Sequence, residues 1–477
     1  VFIIRHLLFI LILYFSLLQH SEAQDSTLVY DIALHGAGST AQLTPFWMHA
    51  NQHSTVPTSG NFALGKLSIN KIYHPNDPRI FQWSAGVEAI GSLGRKGNIF
   101  LSDAYIAAKV GAVELMAGQR KAMTGIVDTL LTSGSLSVSG NARPIPRLQI
   151  SIPTFYPLHF TDGFLSIKAS YSDGILNGSY INYGSILRVP NTYFHQKSVY
   201  LRLGKEHTRL VGFAGMNHQA VWGGERDIHP IQQISKARVY WHTISGKQYN
   251  YLRFGNHFGT IDFALQWKGR KWTYLLYRQN VYETGSLFRV INFSDGLNGL
   301  SIKRNKKNNE PYFVFNSFLF EMVNTSSQQN DKPFLALGIF EKGNYYNHYI
   351  YRNGWSYYGR NMGTPLVSRL SVKEGDKTSH PAEFTNNNRL IAFNFGATAS
   401  WLNTNLLFRS TYSRNFGTYV NPLPNSQNQF SLIIQSEREL KGTRGLVFTV
   451  SAATDIGRLY QNSNSIMVGV KKAGFLN

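Results

Sequence analysis

Residues 164–171 read FLSIKASY and residues 445–452 read GLVFTVSA. In the first, Leu165, Ile167, Ala169 and Tyr171 alternate with Ser166, Lys168 and Ser170; in the second, Leu446, Phe448, Val450 and Ala452 alternate with Val447, Thr449 and Ser451. A period of two puts successive side chains on opposite faces of an extended chain, so each segment reads as a strand with one apolar and one mostly polar face. The pattern recurs at 62–69, 81–91, 198–204, 260–267, 272–279, 311–322, 389–402, 406–413, 430–437 and 465–472. Turn-rich pieces such as YSDGIL, FSDGLNG and KGTRG separate some of these segments. At least a dozen strands with few helices between them exclude a doubly wound α/β enzyme.

The composition narrows the class. The chain holds 26 Tyr, 31 Phe and 42 Gly, with aromatics at 14% and no cysteine. A water-soluble globule rarely needs so many aromatic rings, whereas a membrane barrel uses them as girdles at both interfaces. The opening VFIIRHLLFILILYFSLLQHSEAQ has a basic start, an apolar run and small residues before Gln24. That is the layout of a secretory signal peptide, expected to span 1–23 and leave 24–477 as a single barrel domain. No later stretch is a sustained apolar run of transmembrane-helix length. A net charge of +21 on an exported chain argues for acidic partners, anionic glycans or lipid head groups, rather than nucleic acid.

One segment departs from the period of two. PIQQISKARVYWHTISG, residues 230–246, has Pro230 at a possible first helical position and Gly246 past the end, which predicts a helix beneath or inside the barrel.

Several constellations carry chemistry. In PFWMHANQHSTVP (45–57), His49 and His53 are four apart, as zinc ligands on one helical face would be. A third ligand and a general base are missing locally, and Pro45 and Pro57 favour a loop or a lead into a strand. In WGGERD (222–227) two carboxylates lie close together, yet the diglycine reads better as a tight turn than as part of a glycosidase pair. No glycine-rich phosphate loop, Cys/His metal framework or GxSxG elbow is found, so neither a cofactor nor a catalytic residue is expected. The densest binding-like cluster is YIYRNGWSYYGR (349–360), where Tyr349, Tyr351, Trp355, Tyr357 and Tyr358 interleave with Arg352 and Arg360. Aromatic faces stack on sugar rings and guanidinium groups grip uronate or sulfate oxygens, so these seven residues are the candidate glycan-binding set. The alternative is an interfacial aromatic girdle with lipid-anchoring arginines. Lys303, Arg304, Lys306 and Lys307 form a candidate basic patch, or a solvated loop.

HQAVWGGERD (218–227), GWSYYGRNMGTPL (354–366) and TNNNRLIAFNFG (385–396), taken with PFWMHANQH and the closing NSIMVGVKKAGF, resemble the capsule assembly Wzi family of outer-membrane proteins. The resemblance spans essentially the whole chain after the signal, and the order of the segments carries it. It implies an all-β, transmembrane antiparallel β-barrel of about eighteen strands with a few short helices near its periplasmic end. By the same likeness PFWMHANQHSTVP leads into the first barrel strands. It further implies a lectin-like, non-catalytic role in assembling or retaining capsular or exported polysaccharide at the surface of a Gram-negative outer membrane. The partners it implies are an anionic capsular polysaccharide or exopolysaccharide, outer-membrane lipid and lipopolysaccharide, and the barrel assembly machinery. A porin-like diffusion channel and a secreted glycan-active enzyme are the alternatives.

Overall fold

The computed structural model describes residues 27–74, 79–184, 186–250, 252–283, 292–305, 312–328, 342–367, 383–443 and 445–476. The expected signal segment lies outside them, as do Lys306 and Lys307. Strands β1 (Leu28–Ser39), β2 (Phe62–Lys71), β3 (Phe81–Gly94), β4 (Asn98–Val110), β5 (Val113–Gln119) and β6 (Arg147–Pro157) open the chain. They are followed by β7 (Leu165–Tyr183), β8 (Ile186–Leu203), β9 (Leu210–Trp222), β10 (Asn256–Lys268), β11 (Trp272–Tyr282), β12 (Gly296–Arg304) and β13 (Phe313–Asn324). A two-residue pair, β14 (Ser356–Tyr357) and β15 (Arg360–Asn361), precedes β16 (Arg389–Trp401), β17 (Thr404–Gly417), β18 (Pro422–Glu439), β19 (Leu446–Gly457) and β20 (Ser463–Phe475).

All but β14 and β15 join one 18-stranded sheet, in which each strand pairs antiparallel with its neighbours in sequence. The sheet closes because β1 pairs with β2 on one side and with β20 on the other, from Val29 opposite Phe475 to Ser39 opposite Ser465. Closure satisfies every ladder and leaves no edge.

The alternation anticipated from the sequence sorts inside from outside. On β7 the outward Leu165, Ile167 and Ala169 oppose the inward Ser166 and Lys168, and on β19 the outward Phe448 and Ala452 are exposed while Thr449 and Ser451 are buried. Outward aromatics gather near one rim: Phe81, Trp83, Trp267, Phe313, Phe315 and Trp401 are all exposed, as an interfacial girdle requires. Other tyrosines face inward over glycines of the adjacent strand. Tyr200 lies opposite Gly215, where an added Cβ would meet the ring at 1.9 Å, and Tyr277 lies opposite Gly299, where it would meet the ring at 2.2 Å.

The two rims differ. Connections at the rim holding Leu28 and Phe475 are short, such as 111–112 and 402–403. The opposite rim carries the long ones, 40–61, 120–146, 223–255 and 325–388. The three described α-helices, α1 (Phe46–His49), α2 (Glu225–Ile228) and α3 (Lys236–Ser245), all belong to this long-connection rim.

The described parts of three of these connections, 40–61, 120–146 and 325–388, fold into the lumen. Trp47, Leu131, Leu136, Tyr346, Trp355 and Val367 are fully buried there, packed with the inward Phe194, Phe258, Leu319 and Leu390 of the wall. Strand carboxylates hold the backbone of this plug. Glu321 accepts from Ser133 N (2.6 Å) and Thr132 Oγ1 (2.7 Å), Asp262 from Ile126 N (2.9 Å), and Asp455 from Phe46 N (2.8 Å). Each buried carboxylate therefore ends on a donor, which keeps its burial tolerable. Away from the plug the lumen is polar, with Lys66 bridging Asp31 and Glu88 at 3.1 Å each and Arg120 pairing with Glu114 at 2.6 Å.

Three expectations are corrected. The helix anticipated over 230–246 begins only at Lys236, where Ser235 caps it by accepting from Arg238 N; Pro230 opens a separate 3-10 turn instead. Gly246, left-handed at φ 68°, ends it as anticipated. The helix lies against the outer wall and not beneath or inside the barrel, because Lys197 and Asp173, which it contacts, occupy outward positions. PFWMHANQHSTVP lies between β1 and β2 as part of the plug, not ahead of the first strands.

Candidate functional site

At the long-connection rim the plug leaves a cleft of ≈ 140 Å³ between β7, β8 and the segment around β14 and β15. The candidate cluster 349–360 reaches it in part. Tyr358 and Gly359 form the two-residue turn between β14 and β15, and both have positive φ, 48° and 71°. Two left-handed central residues are what a type I′ hairpin turn demands, and glycine supplies one without cost. A tyrosine at such a φ is strained, by roughly 1–3 kcal/mol for a non-glycine side chain, and strain of this kind gathers at ligand-contacting positions. The turn lifts the Tyr358 ring to 54% exposure, with its other side against the Arg143 guanidinium, 4.3 Å from the ring centre.

Arg352 lines the same cleft, facing Glu383, Asn177, Ser179 and Asn353. Burial raises the Glu383 carboxyl above the ordinary range, while the Asn344 amide that donates to it at 3.0 Å and the nearby Arg352 favour its charge. One exposed aromatic ring, a guanidinium, a carboxylate, amides and hydroxyls in a cleft match what a polyhydroxylated ring offers: an apolar face and a rim of hydroxyl donors and acceptors.

The remaining members of the cluster are structural. Trp355 is 0% exposed; its indole donates to Ser137 O at 3.1 Å, and its ring lies between Phe194 and Phe258. Tyr351 is buried and donates to Glu225 at 2.7 Å and to Gly223 O at 3.0 Å. Glu225 also accepts from the Gly223 amide, so WGGERD is a tight turn whose carboxylate anchors the plug, as its diglycine suggested. Tyr357 is buried edge-on against Tyr358. Tyr349 is half-exposed and packs on His348, away from the cleft lining. Arg360 donates to His49 Nδ1 at 2.8 Å, which links β15 to α1.

The two histidines of the opening motif do not converge on a metal. His49 ends a single helical turn, and His53 sits in a left-handed stretch with Asn51 and Ser54 that is stitched to Gly140 and Asn141. Among the described residues no three His, Cys, Asp or Glu side chains form a metal-holding group. The basic run is also divided, since Lys303 points into the lumen and pairs with Asp128 at 3.0 Å while Arg304 is the next residue along the strand. Glu383 and Asn177 carried no signal in the sequence, because only the fold of a long connection brings them beside Arg352.

A closed 18-stranded antiparallel sheet with an outward apolar band, a plugged lumen and a polar cleft at the long-connection rim defines an outer-membrane-type β-barrel whose pore is occupied by its own chain. Within that class, the chain belongs to the family described as capsule assembly protein Wzi, whose model matches residues 44–369. A solved structure similar over 93% of this chain and 85% of its own is Wzi of Escherichia coli, described as an outer membrane protein involved in group 1 capsule assembly and a carbohydrate-binding β-barrel; identity is 13% and the TM-score 0.57. OccAB2 of Acinetobacter baumannii aligns over 96% of this chain and 100% of its own at 10% identity and a TM-score of 0.48. OccK5 of Pseudomonas aeruginosa aligns over 94% and 98% at 8% identity and 0.47. Among curated proteins there is no match.

Proposed function

We propose that this protein is an outer-membrane barrel that holds capsular or other exported polysaccharide at the cell surface by binding without bond cleavage. The observation that carries the reading is the rim cleft, where the strained Tyr358 ring faces solvent beside Arg352 and Glu383. Family membership and the carbohydrate binding described for the Escherichia coli structure support it. In this reading the short-turn rim faces the periplasm and the cleft faces outward, following the usual asymmetry of such barrels. The helices then lie at the outer rim and not the periplasmic one. Residues 1–23 act as a cleaved export signal, the barrel assembly machinery inserts 24–477, and lipopolysaccharide surrounds the wall.

Attachment is multivalent: weak contacts repeat along a polymer and one cleft need not be tight. The positive balance of the chain selects acidic polymers, so retention falls as salt rises. A diffusion channel fits less well, because packed aromatic and aliphatic side chains fill the lumen.

The test is the partition of polysaccharide between cells and medium in a strain lacking the protein, complemented with the wild type, Tyr358→Asn or Arg352→Ala. Asparagine tolerates the left-handed turn, so Tyr358→Asn should leave the barrel as stable as before or stabilise it by about 0.5–1 kcal/mol while releasing polymer. Loss of the protein without any shift of polymer into the medium would remove the attachment role.

A further inference from the structure

Outward positions at one level of four adjacent strands, midway along β7 and β8 and toward the upper ends of β9 and β10, are not apolar. Asp173 on β7, His195 and Lys197 on β8, His218 on β9 and His257 on β10 point away from the lumen, continuing the rows of Val199 on β8, Met216 on β9 and Phe263 on β10, which are exposed. Such groups facing hydrocarbon would cost several kcal/mol each. The 223–255 connection folds down over the wall, where His195, His218 and His257 are buried and Asp173 and Lys197, part-exposed, bond to it. Tyr240 of α3 donates to Asp173 at 2.7 Å and shares a hydrogen bond with Tyr171 at 2.6 Å, and Lys197 donates to Ile244 O at 2.5 Å.

The imidazoles complete the clasp. His257 Nε2 lies 2.7 Å from Phe254 O and so carries the proton, which makes its Nδ1 the acceptor for His218 Nε2–H at 2.8 Å. His195 Nδ1 pairs with Asp173 at 2.9 Å. Ile234, Val239 and Phe254 form a small apolar core against Trp222.

The other face of this flap is open. Ile231 is 91% and Trp241 57% exposed, alongside exposed Lys236, Arg238 and Lys247. No acidic residue occurs from Ile228 to Ile261. The flap also has a defined height. On β9 and β10 the exposed Leu210, Met216, Trp267, Leu265 and Phe263 run up the wall, and the flap begins where that apolar row stops. A cationic, amphipathic segment with an exposed Trp at the edge of an apolar band is built for the head-group layer.

We propose that the 229–255 flap is an interfacial anchor that binds the phosphate groups of anionic membrane lipid through Lys236, Arg238 and Lys247, with Trp241 and Ile231 inserted beside them. The inference rests on the barrel lying in a membrane and is independent of the sugar cleft. It makes the flap a lipid-reading element on the wall, separate from the polymer-reading element at the rim.

The test uses the full barrel in bilayer nanodiscs of phosphatidylglycerol or of phosphatidylcholine. Lipids brominated near the head group should quench a tryptophan signal that disappears in Trp241→Phe, and quenching of Trp267 in the girdle of the opposite rim reports that the barrel itself is inserted. In native mass spectrometry the wild type should retain phosphatidylglycerol over phosphatidylcholine, and Lys236→Gln/Arg238→Gln/Lys247→Gln should lose that preference by about tenfold, since each cation near an anionic surface contributes to attraction. Heat-modifiable migration checks that the variant barrel is folded. Unquenched Trp241 beside quenched Trp267 would overturn the anchor alone, and both unquenched would overturn membrane insertion as well. Equal retention of the two lipids by the wild type, or loss of the preference to inorganic phosphate at matched concentration, would also overturn the proposal.

Discussion

Two long connections of the same rim meet opposite fates. Residues 120–146 turn inward and become buried core, with Leu131, Leu136 and Ser133 inaccessible to solvent. Residues 223–255 turn outward and lie on the wall as a short helix with a cationic face. The inward segment is rich in Ser, Thr and Gly, whose small side chains let its backbone meet strand carboxylates such as Glu321 and Asp262. The outward one is anchored through side chains, its Tyr240 on Asp173 and the wall's Lys197 and His257 on its Ile244 and Phe254 carbonyls. A connection goes where its polar groups find partners, and in this barrel the wall supplies acceptors on its inner face and both donors and an acceptor on its outer one.

The sharpest way to break this comparison is to remove the inward member. Replacing 125–141 with a short Gly/Ser linker should open a conducting path and raise single-channel conductance in planar bilayers by about tenfold or more, because large barrels without a plug enclose an aqueous channel. Unchanged conductance would mean that the other inward connections close the lumen alone. Next in size, Trp355→Ala should destabilise the plug by about 3–5 kcal/mol, the usual cost of deleting a buried large aromatic, with the Ser137 carbonyl losing its donor too. Limited proteolysis of the rim connections at increasing denaturant reads this directly, and strands should stay protected.

Acid should loosen the inward side. Burial, and then the adjacent Arg360, holds the His49 imidazole well below its ordinary range, and burial with Lys121 nearby brings His53 down to about 4. Both groups are depressed relative to the unfolded chain, so their contribution is full above the ordinary histidine range and is lost as pH falls toward 4. Plug protection measured by hydrogen exchange should therefore decline between neutral pH and that point, and His53→Asn should flatten the decline. The smallest effect belongs to the outward side. Tyr240→Phe removes a hydroxyl bonded to Asp173 and Tyr171, about 1.5–3 kcal/mol for a bond to a charged partner, and should speed exchange in α3 without altering conductance.

The strands legible in the sequence were those with clean alternation and apolar outward rows, such as β7 and β19. β6 was hidden because RLQISIPTFYP contains two prolines, and β1 because LVYDIALHGAGS carries Asp31 and His35 on its lumen face and glycines near its end. β9 was hidden for a reason that turned out to be informative: its outward His218 interrupts the apolar row at the point where the flap takes over from lipid. At the cleft, Arg352 and Tyr358 were legible as an aromatic-basic cluster. Trp355 and Tyr351, in the same run, were not distinguishable from them, because a ring that stacks on sugar and a ring that fills a plug look alike until their neighbours are known.

The inward tyrosines set over glycines act as keys cut into the seams of the cylinder. At Tyr105 over Gly86, Tyr200 over Gly215 and Tyr277 over Gly299, the ring lies over the backbone of the next strand where any Cβ would collide. A strand sliding by one residue would turn its ring outward and set a side chain in the notch, so misaligned seams are rejected while the cylinder is still being zipped. The closing seam between β1 and β20 carries the same device with an imidazole, the inward His35 over Gly469, which makes the last joint self-checking.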